Sequence, residues 1–354
     1  MRTLRNLRID GFKSIRSASI ELGSLNVVIG ANGSGKSNLM GVFKLLERVL
    51  SHNLQLHVAS EPDRLLHHGR KVTPSLELRF EFDQRAYGFK LRAAQSRLVF
   101  ETEQVSDNGH AWYGKSLGAG HMESVLKSAA DSGKARAHVL KALSGLTVHH
   151  FQDASDSAPA KQMANLADLR TLRADGANLA PYLYSLQERN PVAFRQVEEH
   201  VRLVAPFFDR FVLEPSPLHE DKIKLEWKQK RSDAYFDGYS LSDGTLRFIC
   251  LAALLLQPAP PALILLDEPE LGLHPYAIHI LAGMLEAVSR RSQVLLATQS
   301  VTLLNQFAPA DVLVAENEAG STTFRRLDET ALAQWLAGYS LGELWEKNVL
   351  GGRP

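Results

Sequence analysis

Residues 27–40, VVIGANGSGKSNLM, constrain this 354-residue chain more than any other stretch. Gly30, Gly35, Lys36 and Ser37 fall in the spacing G-x-x-x-x-G-K-[ST]. The β-branched run before them reads as a buried strand, and apolar spacing over residues 37–50 predicts a helix. Glycines here let the backbone curl until successive N–H groups point at one phosphate. The helix adds the positive end of its dipole. In that setting Lys36 reaches the β- and γ-phosphates and the Ser37 hydroxyl ligates Mg²⁺. The turn thus predicts an ATP cradle built from Asn32, Gly33, Ser34, Gly35, Lys36, Ser37 and Asn38.

Two later segments suit the same chemistry. Residues 263–268, LILLDE, form a buried-strand run that ends in two carboxylates. On a strand beside the phosphate-binding one, Asp267 serves the metal and Glu268 stands where a general base aims a water at the γ-phosphate. Residues 241–245, LSDGT, form a second glycine turn that opens a helix, with Ser242 and Gly244 offering a hydroxyl and N–H groups to an anion. One phosphate needs one cradle on one face, so a second cradle suggests that the γ-phosphate is covered from the other side by a partner subunit.

Around these motifs the chain reads as α/β. Two antiparallel strands precede residue 25, and alternation over residues 75–106 predicts a three-stranded meander with one solvated face. Helices are expected over 164–186, 191–204, 245–256 and 276–290, and strands over 222–230, 263–266 and 293–298. Two late strands and a helical tail follow. Composition is that of an ordinary soluble protein, and a formal net charge of +1 gives no global field for nucleic acid. Any DNA contact therefore needs a local patch. Lys222, Lys224, Lys228, Lys230 and Arg231 are the candidate, either as one phosphate track on the 222–230 strand or as lysines guarding a solvated strand edge. Trp227, on the other face, is expected to pack. A single cysteine, Cys250, suits a reducing cytosol. The apolar stretch 248–266 is cut by Gln257 and its prolines and closed by Asp267, so no membrane span is expected and the location is read as cytoplasmic. The pairs His67–His68 and His149–His150 lack carboxylate or cysteine neighbours and read as solvated loop residues.

The quoted turns, with LRIDGFKSI before the first and LLDEPELGLHP after the strand, resemble the ABC-type ATPases. Within that family they look like the structural-maintenance-of-chromosomes (SMC) and RecF-like branch. The resemblance extends to stand-alone bacterial RecF-like ATPases related to the ATPase half of OLD-family nucleases. It implies an ABC-type P-loop ATPase head with a mixed sheet, an N-terminal antiparallel β subdomain and a helical lobe. The organisation would be 1–120 for the first ATPase part, 121–235 for the helical insert and 236–354 for the second ATPase part. It also implies a homodimer that sandwiches ATP between the first turn of one head and the LSDGT signature of the other. By the same resemblance Lys13 lies near the phosphates, and Gln152 is the loop glutamine that senses Mg²⁺ and the attacking water.

This chain departs from the family pattern in two places. Gln299, in LLATQS, stands where the family has a switch histidine. An amide donates a hydrogen bond but cannot carry a proton or charge, so slow turnover, or ATP acting mainly as a dimer clamp, is expected. The loop after Glu268 differs too, with Glu270 and His274 as candidate cross-dimer contacts. Residues after Ser300 show no acidic metal cluster, so the chain is not expected to cut nucleic acid itself. The first functional expectation is a DNA-associated ATPase in repair or genome maintenance. The alternative is a sensor scaffold in anti-phage defence that holds a separately encoded effector or nuclease. A transporter nucleotide subunit is less favoured.

Overall fold

The computed structural model describes residues 3–83, 85–106, 115–127, 134–143, 146–151, 153 and 155–353. Strand β1 (Leu4–Phe12) pairs antiparallel with β2 (Ile15–Glu21), and β3 (Leu25–Ile29) leads into the glycine turn and helix α1 (Lys36–Leu50). A short helix α2 (Leu54–Val58) follows. The meander is β4 (Ser75–Phe82), β5 (Arg85–Ala94) and β6 (Arg97–Ser106), extended by β7 (Lys115–Gly118). It joins the N-terminal hairpin in one antiparallel sheet of order β2-β1-β4-β5-β6-β7.

The second large sheet positions the site. Its strands are β8 (Val148–His149), β15 (Leu263–Asp267), β16 (Gln293–Ala297), β3, β17 (Val312–Glu318) and β18 (Ser321–Arg326). Their order is β18-β17-β3-β16-β15-β8, and all neighbours are parallel except the final hairpin β17–β18. Parallel strands buried on both faces read as continuous apolar runs, as LNVVI and LILL do. Within each run alternate residues serve opposite layers. Val27, Ile29, Ile264, Leu266, Val294 and Leu296 enter one core, under helices. Val28, Leu263, Leu265, Leu295 and Ala297 enter the other, shared with α1 and the antiparallel sheet. The mixed sheet is thus the middle of three layers.

The helical layer contains α4 (Leu179–Arg189), α5 (Pro191–Val204), α6 (Asp243–Leu255), α7 (Pro275–Ser289) and α8 (Val301–Leu304). Helix α3 (Lys134–Leu143) packs on the antiparallel sheet, and α9 (Glu329–Leu336) and α10 (Leu341–Glu346) form the tail. Among the described residues no helix is long and apolar enough to cross a membrane.

Three expectations need correction. The segment 164–186 is not one helix: it holds β9 (Ala164–Asn165) and a loop before α4 begins at Leu179. Gly176 turns with φ +74°, and the buried Asn178 side chain holds the loop by donating to the carbonyls of Asp168 (3.0 Å) and Thr171 (2.8 Å). These local bonds compete with helix formation. The segment 222–230 is likewise not one strand. Its first part is β12 (His219–Ile223), which pairs with β11 (Pro215–Ser216) and β9. Its second part is β13 (Glu226–Gln229), which pairs with β10 (Phe208–Val212) and β14 (Tyr235–Asp237). Lys222 and Lys228 therefore lie in different sheets, and Lys224 is drawn to Glu226 at 2.8 Å. Finally, His67 and His149 are buried, not solvated. The His67 ring meets the Lys13 carbonyl at 2.7 Å, and burial brings the His149 imidazole down to about 4.

Trp227 packs as expected. It stacks on Phe236 with ring centroids 4.9 Å apart and on Phe208 at 6.0 Å, and its indole N–H donates to the Asp237 carbonyl at 3.1 Å. Trp227→Ala is expected to cost about 3–5 kcal/mol of unfolding free energy, read by chemical denaturation. A loss under about 1 kcal/mol would mean that the small sheet contributes little to the cooperative unit.

Candidate functional site

The parallel register brings four loops to one edge. In it Asp267 lies opposite Ala297, Leu266 opposite His149, and Ala297 opposite Val28. The loops that follow β3, β15, β16 and β8 therefore emerge together, as the carboxyl ends of parallel strands do in open α/β sheets.

The first loop has the backbone of an anion cradle. Gly30, Gly33 and Gly35 all have positive φ, at +154°, +78° and +107°. A Cβ on Gly30 would strike the Ala315 carbonyl, and one on Gly35 would strike the Thr322 side chain, so glycine is required at both places. Asn32, Gly33 and Ser37 are exposed, while Ser34 and Lys36 are buried. The Lys36 ammonium folds over the loop, donating to the carbonyls of Gly30 at 2.6 Å and Ala31 at 2.9 Å. Burial pushes its pKa down, opposed by Glu268, Asp267 and Glu270. The Ser34 hydroxyl is buried with no partner among the described residues. A preformed cradle, an ammonium held by loop carbonyls and an unsatisfied buried hydroxyl fit a phosphate chain.

Behind the loop a relay of side chains holds its shape. The Asn38 amide donates to the Ser14 hydroxyl at 2.7 Å, and Ser14 meets Thr322 at 2.7 Å. Thr322, fully buried, donates to the Ser34 carbonyl at 2.9 Å. Asn38 thus braces the cradle through its side chain. Neither Ser14 nor Thr322 was visible as a site residue, because Thr322 lies 288 positions from the loop that it supports.

At the end of β15, Asp267 is half-buried, and desolvation raises its carboxyl while His150, Lys44 and Lys36 oppose the rise. Such an oxygen donor beside the cradle suits a hard divalent cation. Glu268 has φ +49°, a left-handed backbone that is strained for a residue with a side chain. Its N–H donates to the Ala297 carbonyl at 2.8 Å, and its Oε1 accepts a hydrogen bond from the Gln299 amide. The Gln299 and Glu268 side chains, from different loops, are therefore in direct contact.

Ser242 caps α6, its hydroxyl accepting from the Thr245 N–H at 3.3 Å, and it remains exposed. A Cβ on Gly244 would sit 2.5 Å from the Gly272 carbonyl, so the second turn packs against the loop that follows Glu268. Arg247, one turn into α6, donates to the Phe151 carbonyl at 2.8 Å and to the Leu271 carbonyl. It ties α6 to two of the loops at the sheet edge, a link that no local motif announces.

Of the other expected residues, Lys13 lies against Gly41, more than a turn beyond Lys36 along α1. Burial, then Lys44, lowers its pKa. Gln152 lies outside the described residues. Glu270 was expected to face a second head; instead its carboxylate is buried and bonded inward, to Thr298 and to the Gln299 N–H at 3.3 Å. His274 is exposed and caps α7, its ring accepting from the Tyr276 N–H at 3.3 Å.

Residues 25–305 match the family described as "AAA domain, putative AbiEii toxin, Type IV TA system". Among solved structures, the chain resembles an Smc head bound to the C-winged helix domain of ScpA. The TM-score is 0.61 at 16% identity, covering 93% of this chain and 99% of that one. A Pyrococcus furiosus Smc head with an extended coiled coil, bound to the C-terminal domain of ScpA, gives 0.59 at 16% identity over 95% and 99%. A Pyrococcus yayanosii Smc head with a coiled coil and joint gives 0.59 at 13% over 95% and 99%. At such identities the likeness is one of fold. No curated protein matches.

Proposed function

The chain belongs to the AbiEii-type AAA domain family, and on that premise we propose that it is an ABC-type, SMC-like ATPase head that hydrolyses ATP slowly within an ATP-bridged homodimer. The observation that carries this reading is the meeting of three separate loops at one edge: Asp267 lies opposite Ala297, Ala297 lies opposite Val28, and the Gln299 amide bonds Glu268.

In this mechanism the N–H groups of residues 32–38 and the Lys36 ammonium hold the phosphate chain. Ser37 and Asp267 would hold Mg²⁺ at the mouth of the cradle. The ion, when bound, neutralises charge on the phosphate oxygens. Glu268 takes a proton from a water as that water bonds to the γ-phosphorus, and the bond to the leaving ADP oxygen breaks. Gln299 orients Glu268, and Lys13 stands behind the phosphates. Ser242 and Gly244 of a second copy close the other side. Tyr239, Leu271 and Tyr276, beside the second turn, are exposed by 46%, 47% and 51%. Apolar side chains flanking a polar cradle suit burial against that second copy.

For the biological role, the family description names a "putative AbiEii toxin, Type IV TA system", which supports a defence role, and within it we propose a cytoplasmic sensor scaffold that holds a separately encoded effector. The DNA-repair reading loses local support, since the lysine row is split between two sheets. Light scattering with and without Mg-ATP, alongside phosphate release with and without DNA, tests both levels. ATP-dependent doubling of mass with basal hydrolysis is expected. A mass indifferent to ATP would remove the sandwich, and strong stimulation by DNA would restore the repair reading.

A further inference from the structure

Glu270 is the most deeply buried carboxylate of the loop that follows β15, at 8% exposure. Burial of a carboxylate is costly unless every lone pair is matched, and here the match is one-sided. Oε1 accepts from the Thr298 hydroxyl and from the Gln299 N–H, whereas Oε2 is buried with no partner among the described residues. A well-packed apolar side chain of similar size would serve stability at least as well, so the carboxylate calls for another explanation.

What it touches supplies one. Thr298, fully buried, also accepts from the Ser300 N–H at 2.9 Å, and Ser300 caps α8 by accepting from the Leu303 N–H at 3.1 Å. Three successive residues after β16 are thereby fixed from one point. The middle one is Gln299, whose side chain donates to Oε1 of Glu268. The turn carrying the switch residue is thus anchored by the same loop that carries the base, two residues further along.

We infer that Glu270 is a positioning residue for hydrolysis: it anchors the 298–300 turn so that the Gln299 amide orients the Glu268 carboxylate. The inference rests on the reading of Glu268 as the base. Burial raises the Glu270 carboxyl while the Thr298 hydroxyl opposes the rise, so a neutral amide of the same shape is a close substitute, and truncation is not.

The test measures kcat for ATP and the Kd of a fluorescent ATP analogue in wild type, Glu270→Ala, Glu270→Gln, Gln299→Ala and the Glu270→Ala/Gln299→Ala double variant. Glu270→Ala is expected to lower kcat by about 10- to 30-fold with Kd within about threefold, and Glu270→Gln to recover to within about fivefold of wild type. Because Glu270 acts through Gln299, the double variant should be no slower than Gln299→Ala alone. Losses that multiply, an unchanged kcat, or a Kd that moves as far as kcat would overturn the inference. Should Glu270→Ala fail to fold, Thr298→Val removes the hydroxyl half of the anchor and leaves the Gln299 N–H bond; a smaller loss of kcat with Kd unchanged is expected, and an unchanged kcat would overturn the inference. A wild-type protein that neither binds nor hydrolyses ATP would sink the reading of the site itself, a result distinct from wild-type turnover that Glu270 does not influence.

Discussion

Glu268→Gln is expected to lower the rate of ATP hydrolysis by about 100- to 1,000-fold while leaving ATP binding within a few-fold of wild type. The substitution keeps the shape of the side chain and a carbonyl oxygen for the Gln299 amide, but it removes the group that can take a proton from water. A factor of 1,000 is about 4 kcal/mol of barrier, within the range of a general base and well above what a lost surface contact supplies. Since nucleotide still binds, the ATP-bridged dimer should accumulate, and light scattering should show a long-lived doubled mass on adding Mg-ATP. Hydrolysis at more than about a tenth of the wild-type rate would move the base to another residue.

The second large effect is expected at the other turn. Ser242→Arg should abolish the ATP-dependent doubling of mass and take hydrolysis down by about 50-fold or more, because the γ-phosphate loses its second cradle. Ser242 is exposed and caps α6. Losing that cap costs about 1 kcal/mol, which a folded domain tolerates. The cradle at residues 30–37 is untouched in the same chain, so the Kd of a fluorescent ATP analogue should stay within about threefold of wild type. That split between retained binding and lost turnover is the diagnostic. A variant that still hydrolyses ATP at the wild-type rate as a monomer would show that the second turn serves another ligand.

The parts of the site written as contiguous motifs were legible in the sequence. Gly30 to Ser37, Asp267–Glu268 and Ser242–Gly244 each announce themselves by local spacing, and the apolar runs LNVVI and LILL announce the buried parallel sheet that gathers them. What holds those motifs was not legible, because the partners are remote. Arg247 reaches the Phe151 carbonyl across 96 positions, and Thr322 reaches the Ser34 carbonyl across 288. Glu270 illustrates the middle case: its type and place invited a role, but only the fold shows its carboxylate turned inward. Errors in the elements had local causes. Alternation continues through Ile223, Leu225 and Trp227, all buried, so nothing in the pattern marks the change of pairing partner between β12 and β13. In residues 164–178 the side chain of Asn178 outbids helix formation with bonds that periodicity does not see.

The position of β3 between β16 and β17 has a consequence for how the protein is made. The strand that feeds the first turn leaves the ribosome more than 250 residues ahead of both of its sheet neighbours. Asn26, which donates to the Val294 carbonyl at 3.0 Å, waits for a partner 268 positions downstream. At ordinary rates of synthesis that delay is roughly 15 to 50 seconds. Throughout it the nascent chain carries an apolar strand with both edges unpaired, a template for wrong pairing. The antiparallel sheet and α1 can mature meanwhile, so chaperone demand should concentrate on the interval before residue 318 is released.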